Sequence, residues 1–183
     1  ILQNRRSGRK YSSAPMPQND LALLLWAGQG VTAQAGNFLL RTAPSAGALY
    51  PVETYLCINN VEDIAPAMYH FNIREFVLEK IADKNGKELA QAALGQTFIA
   101  TSAVTFIWSA IFRRNMGKYG HRGTRYICMD AGHICQNFLL AAQSLNYSAC
   151  PVAAFFDDHV NALLDLDGTE ESALYMAAVG PGK

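Results

Sequence analysis

The clearest pattern of hydrophobic and polar positions lies in residues 123–145. Apolar residues recur there at alternating steps that place side chains along one face of a helix. This seam comprises Ile127, Ala131, Ile134, Phe138, Ala141 and Leu145. The apolar face is widened by Cys128, Cys135, Leu139 and Ala142, and a narrow polar stripe is formed by Asp130, His133, Asn137 and Ser144. Because more than half of its circumference is apolar, we expect a long buried helix that packs on a sheet or on a second copy of itself.

Shorter patterns predict the other elements. Helices are expected at 21–26, ending at Gly28 or Gly30, at 86–94, in a turn after Gln96, and at 158–166. Strands are expected at 53–59, 103–110, 148–156 and 173–179, and a hairpin at 69–71 and 76–81. Residues 29–38 are predicted to be a loop, and Pro151 predicts a bulge or an edge position in its strand. No repeat or linker divides the chain, so we expect a single α+β domain over residues 1–183.

Composition limits the classes of partner. Hydrophobic residues make up 50% of the chain and charged residues 16%, which predicts a core-rich chain that covers apolar surface in an oligomer. The chain has 15 cationic residues (Lys plus Arg) and 15 acidic residues (Asp plus Glu). This balance argues against a nucleic-acid partner or an anionic membrane surface. No apolar run approaches the ~18 residues of a membrane span. The chain begins at Ile1 without a methionine and without a signal-like apolar segment, which leaves open whether a leader or expression tag preceded it.

The cysteines point to a reducing compartment. Cys57, Cys128, Cys135 and Cys150 lie mostly inside apolar runs, without the spacing of a secreted disulfide framework. We therefore expect buried, reduced thiols in a cytoplasmic protein. His133 between two of these cysteines could suggest zinc, but cysteines on a core face of a helix favour packing, and no metal site is predicted.

A segment of small residues at 41–53, RTAPSAGALYPVE, is the first candidate for chemistry. Ser45 is a good N-cap after Pro44, and residues 46–49 make about one helical turn that Pro51 ends. Because nothing between residues 43 and 48 is bulky, this turn can lie flat against a planar group. Its N-terminal N–H groups can also reach a polar ring edge or an anion. An ordinary loop-to-strand junction is the alternative.

Cations concentrate in two other segments. In RRSGRKY, at 5–11, Gly8 lets the backbone turn, and three arginines can converge with the Ser7 hydroxyl on one phosphate. A solvated basic arm is the alternative interpretation. The second segment, 111–126, surrounds three glycines with Arg113, Arg114, Lys118, Arg122 and Arg125.

These motifs carry a family resemblance. RRSGRKY, PSAGALYPVE, the KYG and RY stretch that runs into DAGHICQNFLLAA, and the last strand before VGPGK resemble the nitroreductase-like flavoproteins. Within that superfamily they look most similar to the SagB-type dehydrogenase branch, which includes azoline oxidases. The resemblance implies a mixed, mostly antiparallel central sheet flanked by helices, one long buried helix, and a homodimer. It also implies two FMN sites, each built from both subunits.

The resemblance also implies roles for particular residues. The FMN phosphate would be held by Arg5, Arg6, Ser7, Arg9 and Lys183. The isoalloxazine ring would be lined, from the other subunit, by Pro44, Ser45, Ala46, Gly47 and Leu49. Val152 and Ala153 would present backbone N–H groups to flavin N5 and O4, and Gln96 would lie near the pyrimidine edge of the ring.

The implied chemistry is hydride transfer through flavin N5. Lys118 and Tyr119 occupy the place of a Lys-Tyr pair that deprotonates the substrate in azoline oxidases; alternatively they only dock the long helix. Three functions therefore stand side by side. The first is NAD(P)H-driven reduction of small nitro- or quinone-type acceptors, the second is azoline oxidation in peptide natural-product maturation, and the third is flavin binding without turnover.

Overall fold

The computed structural model describes residues 1–36 and 38–183. Its helices are α1 (Gln18–Gln29), α2 (Gly86–Ala92), α3 (Phe98–Thr101), α4 (Phe112–Tyr119), α5 (Gly123–Ser144) and α6 (Asp157–Leu164). Its strands are β1 (Val31–Ala35), β2 (Phe38–Arg41), β3 (Val52–Ile58), β4 (Ala67–Asn72), β5 (Val77–Ala82), β6 (Val104–Ile111), β7 (Tyr147–Val152) and β8 (Glu171–Pro181). Of the described helices, none is both long and apolar enough to cross a membrane.

The centre of the fold is a six-stranded sheet with the order β5-β4-β3-β6-β8-β7. Every neighbouring pair in it is antiparallel, so the expected α+β class is confirmed and the expectation of a mixed sheet is wrong. Two isolated bridges outside the named strands are parallel: one joins Met16 to Val61, and the other joins Ser7 to Ala149, so that the N-terminal arm lies along β7.

The sheet separates two hydrophobic clusters. One face packs against α1 and α5, where the ring centroid of Phe138 lies 4.6 Å from that of Phe106 and 5.7 Å from that of Trp108. The other face packs against α2, α3 and α6 through residues such as Leu89 and Ile99. Helices on both faces leave the ends of the strands and the sheet edges as places for a site.

The long helix is confirmed, with two exceptions in its pattern. Its seam faces the sheet, with Ile127, Ala131, Ile134 and Phe138 buried. Cys128, expected on the buried face, is exposed, whereas Cys57, Cys135 and Cys150 are buried as predicted. Asp130, expected in the polar stripe, is buried with 4% exposure, because residues 44–46 cover that side of the helix.

One prediction of local structure is wrong, and one helix was not predicted. Part of the predicted loop at 29–38 forms the antiparallel hairpin of β1 and β2, whose mostly exposed side chains produce no alternating pattern. Helix α4 was not predicted, because segment 111–126 was recognised only for its cations and glycines; the helix ends where Gly120 adopts a φ of 56°. Pro151 causes no bulge, since the register between β7 and β8 is unbroken. The alternative expectation for Pro151, an edge strand, is confirmed.

Candidate functional site

The N-terminal arm brings the two ends of the chain together. The Gly8 N–H donates to the Ala149 carbonyl at 3.0 Å, and the Ser12 N–H donates to the Pro181 carbonyl at 2.8 Å. A Cβ on residue 8 would lie 2.9 Å from the Cβ and Oγ of Ser148, so only glycine allows this approach. The arm is therefore fixed between β7 and the end of β8.

A cavity of about 490 Å³ opens where the arm meets the C-terminus. It is lined by cations and hydroxyls, namely Arg9, Lys10, Tyr11, Ser12, Ser13, Thr101 and Lys183. Such groups are suited to a phosphate, since charged donors form short hydrogen bonds with its oxygens. Two of the predicted phosphate ligands, Arg9 and Lys183, thus come together although they stand at opposite ends of the sequence. We call this space the N-terminal cavity.

The other predicted phosphate ligands, Arg5, Arg6 and Ser7, precede Arg9 on the arm and are not among the residues that line this cavity. The Arg6 guanidinium donates to the backbone carbonyls of Gln3 at 3.2 Å and Arg5 at 2.8 Å. Burial raises the pKa of the Cys150 thiol, and the charge of Arg9 and a hydrogen bond with Ser7 offset part of that effect. Ser7 therefore faces the buried thiol of β7.

The predicted contacts to the flavin edge lie on an adjoining surface. Gln96 Nε2 donates to the carbonyls of Ala93 and Ala154, both at 3.0 Å, which ties the start of α3 to the segment after β7. Val152 is buried at the end of β7, and Ala153 follows it in an exposed position. The Arg9 guanidinium lies 5.7 Å from the ring centroid of Phe98 on α3, so this surface continues into the N-terminal cavity.

Residues 44–50 form a strained loop, which we call the 44–50 loop. It contains a 3₁₀ helix at Ala46–Ala48, where a helical turn was expected. Gly47, Ala48 and Tyr50 all have positive φ, at 66°, 53° and 44°. Ser45 does not cap this turn with its side chain, which was the expected role. A positive φ at a non-glycine residue costs free energy, and such a conformation persists only where the surrounding structure imposes it.

Asp130 on α5 is one group that imposes the loop conformation. The Ser45 hydroxyl donates to Asp130 Oδ2 at 2.6 Å and accepts from the Tyr50 N–H at 2.9 Å. The backbone of Ala46 lies close enough to this carboxylate to influence its pKa. Burial raises the pKa of Asp130, and the bond from Ser45, the Ala46 backbone and the nearby His133 offset this only in part. The sequence pattern missed Asp130, because it stands among polar residues of a helix.

A prediction about pH follows for Asp130. Because its folded-state pKa is raised, its ionisation opposes folding, and this cost grows as pH rises from the unfolded value through the folded one. Asp130→Asn, which cannot ionise, should therefore gain free energy of unfolding relative to wild type as pH is raised from about 4 to 7. Urea unfolding of both proteins at several pH values measures this difference. A difference that is constant with pH would contradict it.

The predicted catalytic pair contacts the 44–50 loop within the same chain. A Cβ on Gly47 would lie 2.5 Å from the Tyr119 hydroxyl and 3.0 Å from Lys118 Nζ. The Tyr119 ring packs edge-on against Tyr126 of α5, with centroids 5.0 Å apart. Helix α4 therefore delivers both side chains to the glycine of the predicted ring-binding segment.

A second cavity, of about 350 Å³, lies between this loop and α5. It is lined mainly by apolar surface, from Pro44, Ser45, Ala46, Tyr126, Met129, Asp130 and His133. Met129 is 52% exposed. We call this second cavity the loop cavity. Its lining differs entirely from that of the N-terminal cavity, so a single chain presents the predicted phosphate ligands and the predicted ring-binding residues at separate places.

Similar proteins identify the family. The model of the nitroreductase family matches residues 2–181. The chain belongs to the nitroreductase family. One relative, from Methanocaldococcus jannaschii and named "Putative nitroreductase MJ1384", is 37% identical over 181 residues, which are 98% of this chain and 88% of the relative.

Two peptide-processing proteins are also similar to this nitroreductase-family protein. The Microcin B17-processing protein McbC of Escherichia coli is 29% identical over 133 residues, 69% of this chain and 49% of McbC. The Trifolitoxin-processing protein TfxB of Rhizobium leguminosarum is 31% identical over 145 residues, 76% of this chain and 39% of TfxB. The aligned part is thus less than half of either protein. These similarities confirm the resemblance to the SagB-type branch.

Solved structures confirm the nitroreductase-like fold. A structure from Anabaena variabilis superimposes with a TM-score of 0.84 at 29% identity and covers 100% of this chain and 37% of the other. A structure from Desulfovibrio desulfuricans that contains FMN superimposes with a TM-score of 0.69 at 19% identity, covering 100% of this chain and 84% of the other. The second similarity shows the fold alone.

The residues of this nitroreductase-family protein fit FMN, which the family typically binds. The N-terminal cavity supplies three cations and several hydroxyls for a phosphate, and the 44–50 loop supplies small residues for a flat ring. Within residues 1–36 and 38–183, no group of three or more His, Cys, Asp or Glu side chains is arranged to hold a metal ion.

Proposed function

We propose that this nitroreductase-family protein is an FMN-dependent oxidoreductase and that its two flavin sites are shared between the subunits of a homodimer. The observation that carries the proposal is the convergence of Arg9 and Lys183 on one hydroxyl-lined cavity. Charged donors from both ends of the chain favour a phosphate as the occupant. Gln96 and the segment after β7 adjoin this cavity and suit the polar edge of the ring that follows the phosphate.

Sharing between subunits is supported by the separation of the two cavities. The N-terminal cavity has the groups for a phosphate, and the loop cavity lies beside the small residues for a ring. A second copy of the chain can place its 44–50 loop over the first copy's phosphate half. Exposed apolar groups beside the loop cavity, such as Met129 on α5, favour burial in such an interface.

Each residue has a distinct role in this proposal. The phosphate is held by Arg5, Arg6, Ser7, Arg9 and Lys183. The ring is lined across the interface by Pro44, Ser45, Ala46, Gly47 and Leu49. The backbone of Val152 and Ala153 donates to the ring edge, and Gln96 contacts its pyrimidine side. When bound, FMN supplies hydride transfer through N5.

The preferred reaction is reduction of nitro- or quinone-type acceptors with NAD(P)H. The similarity to MJ1384, which extends over nearly the whole chain, supports it. The second candidate is oxidation of azolines to azoles, favoured by the contact of Lys118 and Tyr119 with Gly47 and by the similarity to McbC. In that reaction Lys118 takes the proton that leaves the substrate, and Tyr119 orients Lys118.

Two measurements test the function. Purified protein should retain FMN and show flavin absorbance, and anaerobic mixing with NADH or NADPH should bleach the flavin band. Bleaching only by an azoline peptide would favour the second candidate. Retention of FMN without bleaching by either donor would favour flavin binding without turnover, and a protein that binds no FMN would refute the proposal.

The dimer has its own test at Gly132, an exposed glycine of α5. A Cβ there meets nothing within 4 Å in the chain, so Gly132→Arg should leave the subunit folded. In a dimer that packs on α5, the arginine should cause dissociation and loss of FMN together. Sedimentation equilibrium and flavin absorbance measure the two effects. Gln91→Arg, on the opposite side of the sheet, is the control, and a Gly132→Arg dimer that retains FMN would refute this interface.

A further inference from the structure

A carboxylate that is not among the predicted flavin-binding residues is connected to the end of the 44–50 loop. Glu53, in β3, has a side chain only 13% exposed and pairs with the Arg114 guanidinium of α4. His70 Nε2 lies 3.3 Å from Glu53 Oε2, and His70 Nδ1 lies 3.2 Å from Glu79. Burial alone would raise the pKa of Glu53, but the bonds from His70 and Arg114 bring it below its usual value. Glu53 is therefore a fixed anion in the sheet.

Arg114 connects this anion to the loop. Its guanidinium also donates to the Tyr50 carbonyl at 3.0 Å. Tyr50 is the last residue of the 44–50 loop and has a positive φ, so this contact holds a strained backbone position. One side chain thus joins the rigid sheet, through Glu53, to the end of the loop.

Arg114 is also four residues before Lys118 in the same helix. Side chains at this spacing lie on one face, one turn apart. The turn that carries Arg114 is fixed on β3 and Tyr50, and the next turn carries Lys118 and Tyr119 against Gly47. The contacts of Arg114 with β3 and Tyr50 therefore determine the position of α4 relative to the loop.

Arg41 also holds Tyr50, through its ring and its hydroxyl. Arg41 lies 4.6 Å from the ring centroid, the Arg41 backbone N–H donates to the Tyr50 hydroxyl at 3.1 Å, and the Arg41 guanidinium donates to Gln29 at 2.7 Å. Arg41 holds only the loop, whereas Arg114 belongs to α4 and also contacts the loop. Only the second arrangement couples the catalytic pair to the ring-binding segment.

We propose that Glu53 and Arg114 are positioning residues that hold Lys118 and Tyr119 against the 44–50 loop. The proposal rests on the proposed function for its catalytic consequence, but not for its structural one. Both residues act through α4. Their loss moves the pair away from Gly47 and leaves the phosphate ligands in place.

Hydrogen–deuterium exchange tests the structural part on the protein without FMN. Arg114→Ala and Glu53→Gln should each speed amide exchange in peptides covering residues 44–50 and 112–119. Arg113→Ala, which removes the neighbouring exposed cation, should not. Unchanged exchange in both segments would overturn the proposal, whether or not the protein binds flavin.

Turnover tests whether the effect passes through the catalytic pair. With bound FMN, Arg114→Ala should retain flavin and oxidise an azoline substrate on the order of tenfold to a hundredfold more slowly, the effect of displacing a reacting group by about 1 Å. In a Lys118→Ala background the same substitution should cost nothing further. An equal loss in both backgrounds would show a general structural effect and would overturn the proposal. Wild-type protein that binds no FMN would instead refute the proposed function, and wild-type protein that binds FMN without oxidising an azoline would exclude only the second candidate reaction, with hydrogen–deuterium exchange then deciding the positioning role.

Discussion

Replacing Arg9 and Lys183 together by alanine should remove FMN from the protein while leaving the chain folded. Both side chains are exposed and line the N-terminal cavity, so their loss opens no core. A hydrogen bond to a charged group contributes about 1.5–3 kcal/mol, and 1.4 kcal/mol is a factor of ten, so the two losses should weaken FMN binding by at least about a hundredfold. Equilibrium titration of the apoprotein with FMN, followed by quenching of flavin fluorescence, measures the change.

A matched variant separates this effect from a general loss of positive charge. Lys87 and Arg113 are also exposed cations, and they lie outside the N-terminal cavity. Lys87→Ala with Arg113→Ala removes the same charge and should bind FMN as wild type does. If the two double variants bind FMN equally, the cavity is not the phosphate site. Arg5→Ala added to Arg9→Ala then asks whether the outer part of the arm contributes, as its RRSGRKY motif predicts.

The sequence predicts best those elements whose burial depends on their own periodicity. The seam of α5 is buried because Ile127, Ile134 and Phe138 recur at the helical period, and any sheet beneath them would bury the same face. The hairpin of β4 and β5 is likewise local, since its turn residues join two β-rich runs. These patterns, with the terminal motifs, suffice for the α+β class.

Features that depend on distant contacts were not predictable. Asp130 stands in a polar stripe, and only the return of Ser45 and Ala46, more than eighty residues earlier in the chain, makes it a buried partner of the loop. Arg114 was one of several cations around glycines, and no local pattern relates it to Glu53 or Tyr50. Residue type in the sequence therefore suggests the positions proposed to face a flavin, but it does not reveal the positions that support them.

Lys118→Ala should distinguish the two candidate reactions. Oxidation of an azoline to an azole removes a hydride and a proton from the substrate, and the proton needs an acceptor. A positioned general base contributes about 10²–10⁴-fold, so the variant should lose that much of an azoline oxidase activity. Reduction of a quinone by NAD(P)H needs no such base from the chain and should change little. Single-turnover rates of flavin reduction with each donor, followed at the flavin band, measure both.

Two further variants show whether a loss at Lys118 reflects chemistry or packing. Gly47→Ala places a Cβ against the Tyr119 hydroxyl and Lys118 Nζ, so it should displace both side chains while keeping the lysine. Residue 47 has a φ of 66°, where alanine costs roughly 1 kcal/mol more than glycine, a loss that the fold should tolerate. If Lys118 is a base, Gly47→Ala and Lys118→Ala should both slow azoline oxidation when the rate is expressed per bound flavin, which separates the effect from any loss of FMN at the ring-lining residue 47. If Lys118 only docks α4 on the loop, both variants should lower the free energy of unfolding and leave the rate per bound flavin unchanged. Loss of packing lowers the population of folded protein, whereas loss of a base raises the activation barrier of the oxidation step.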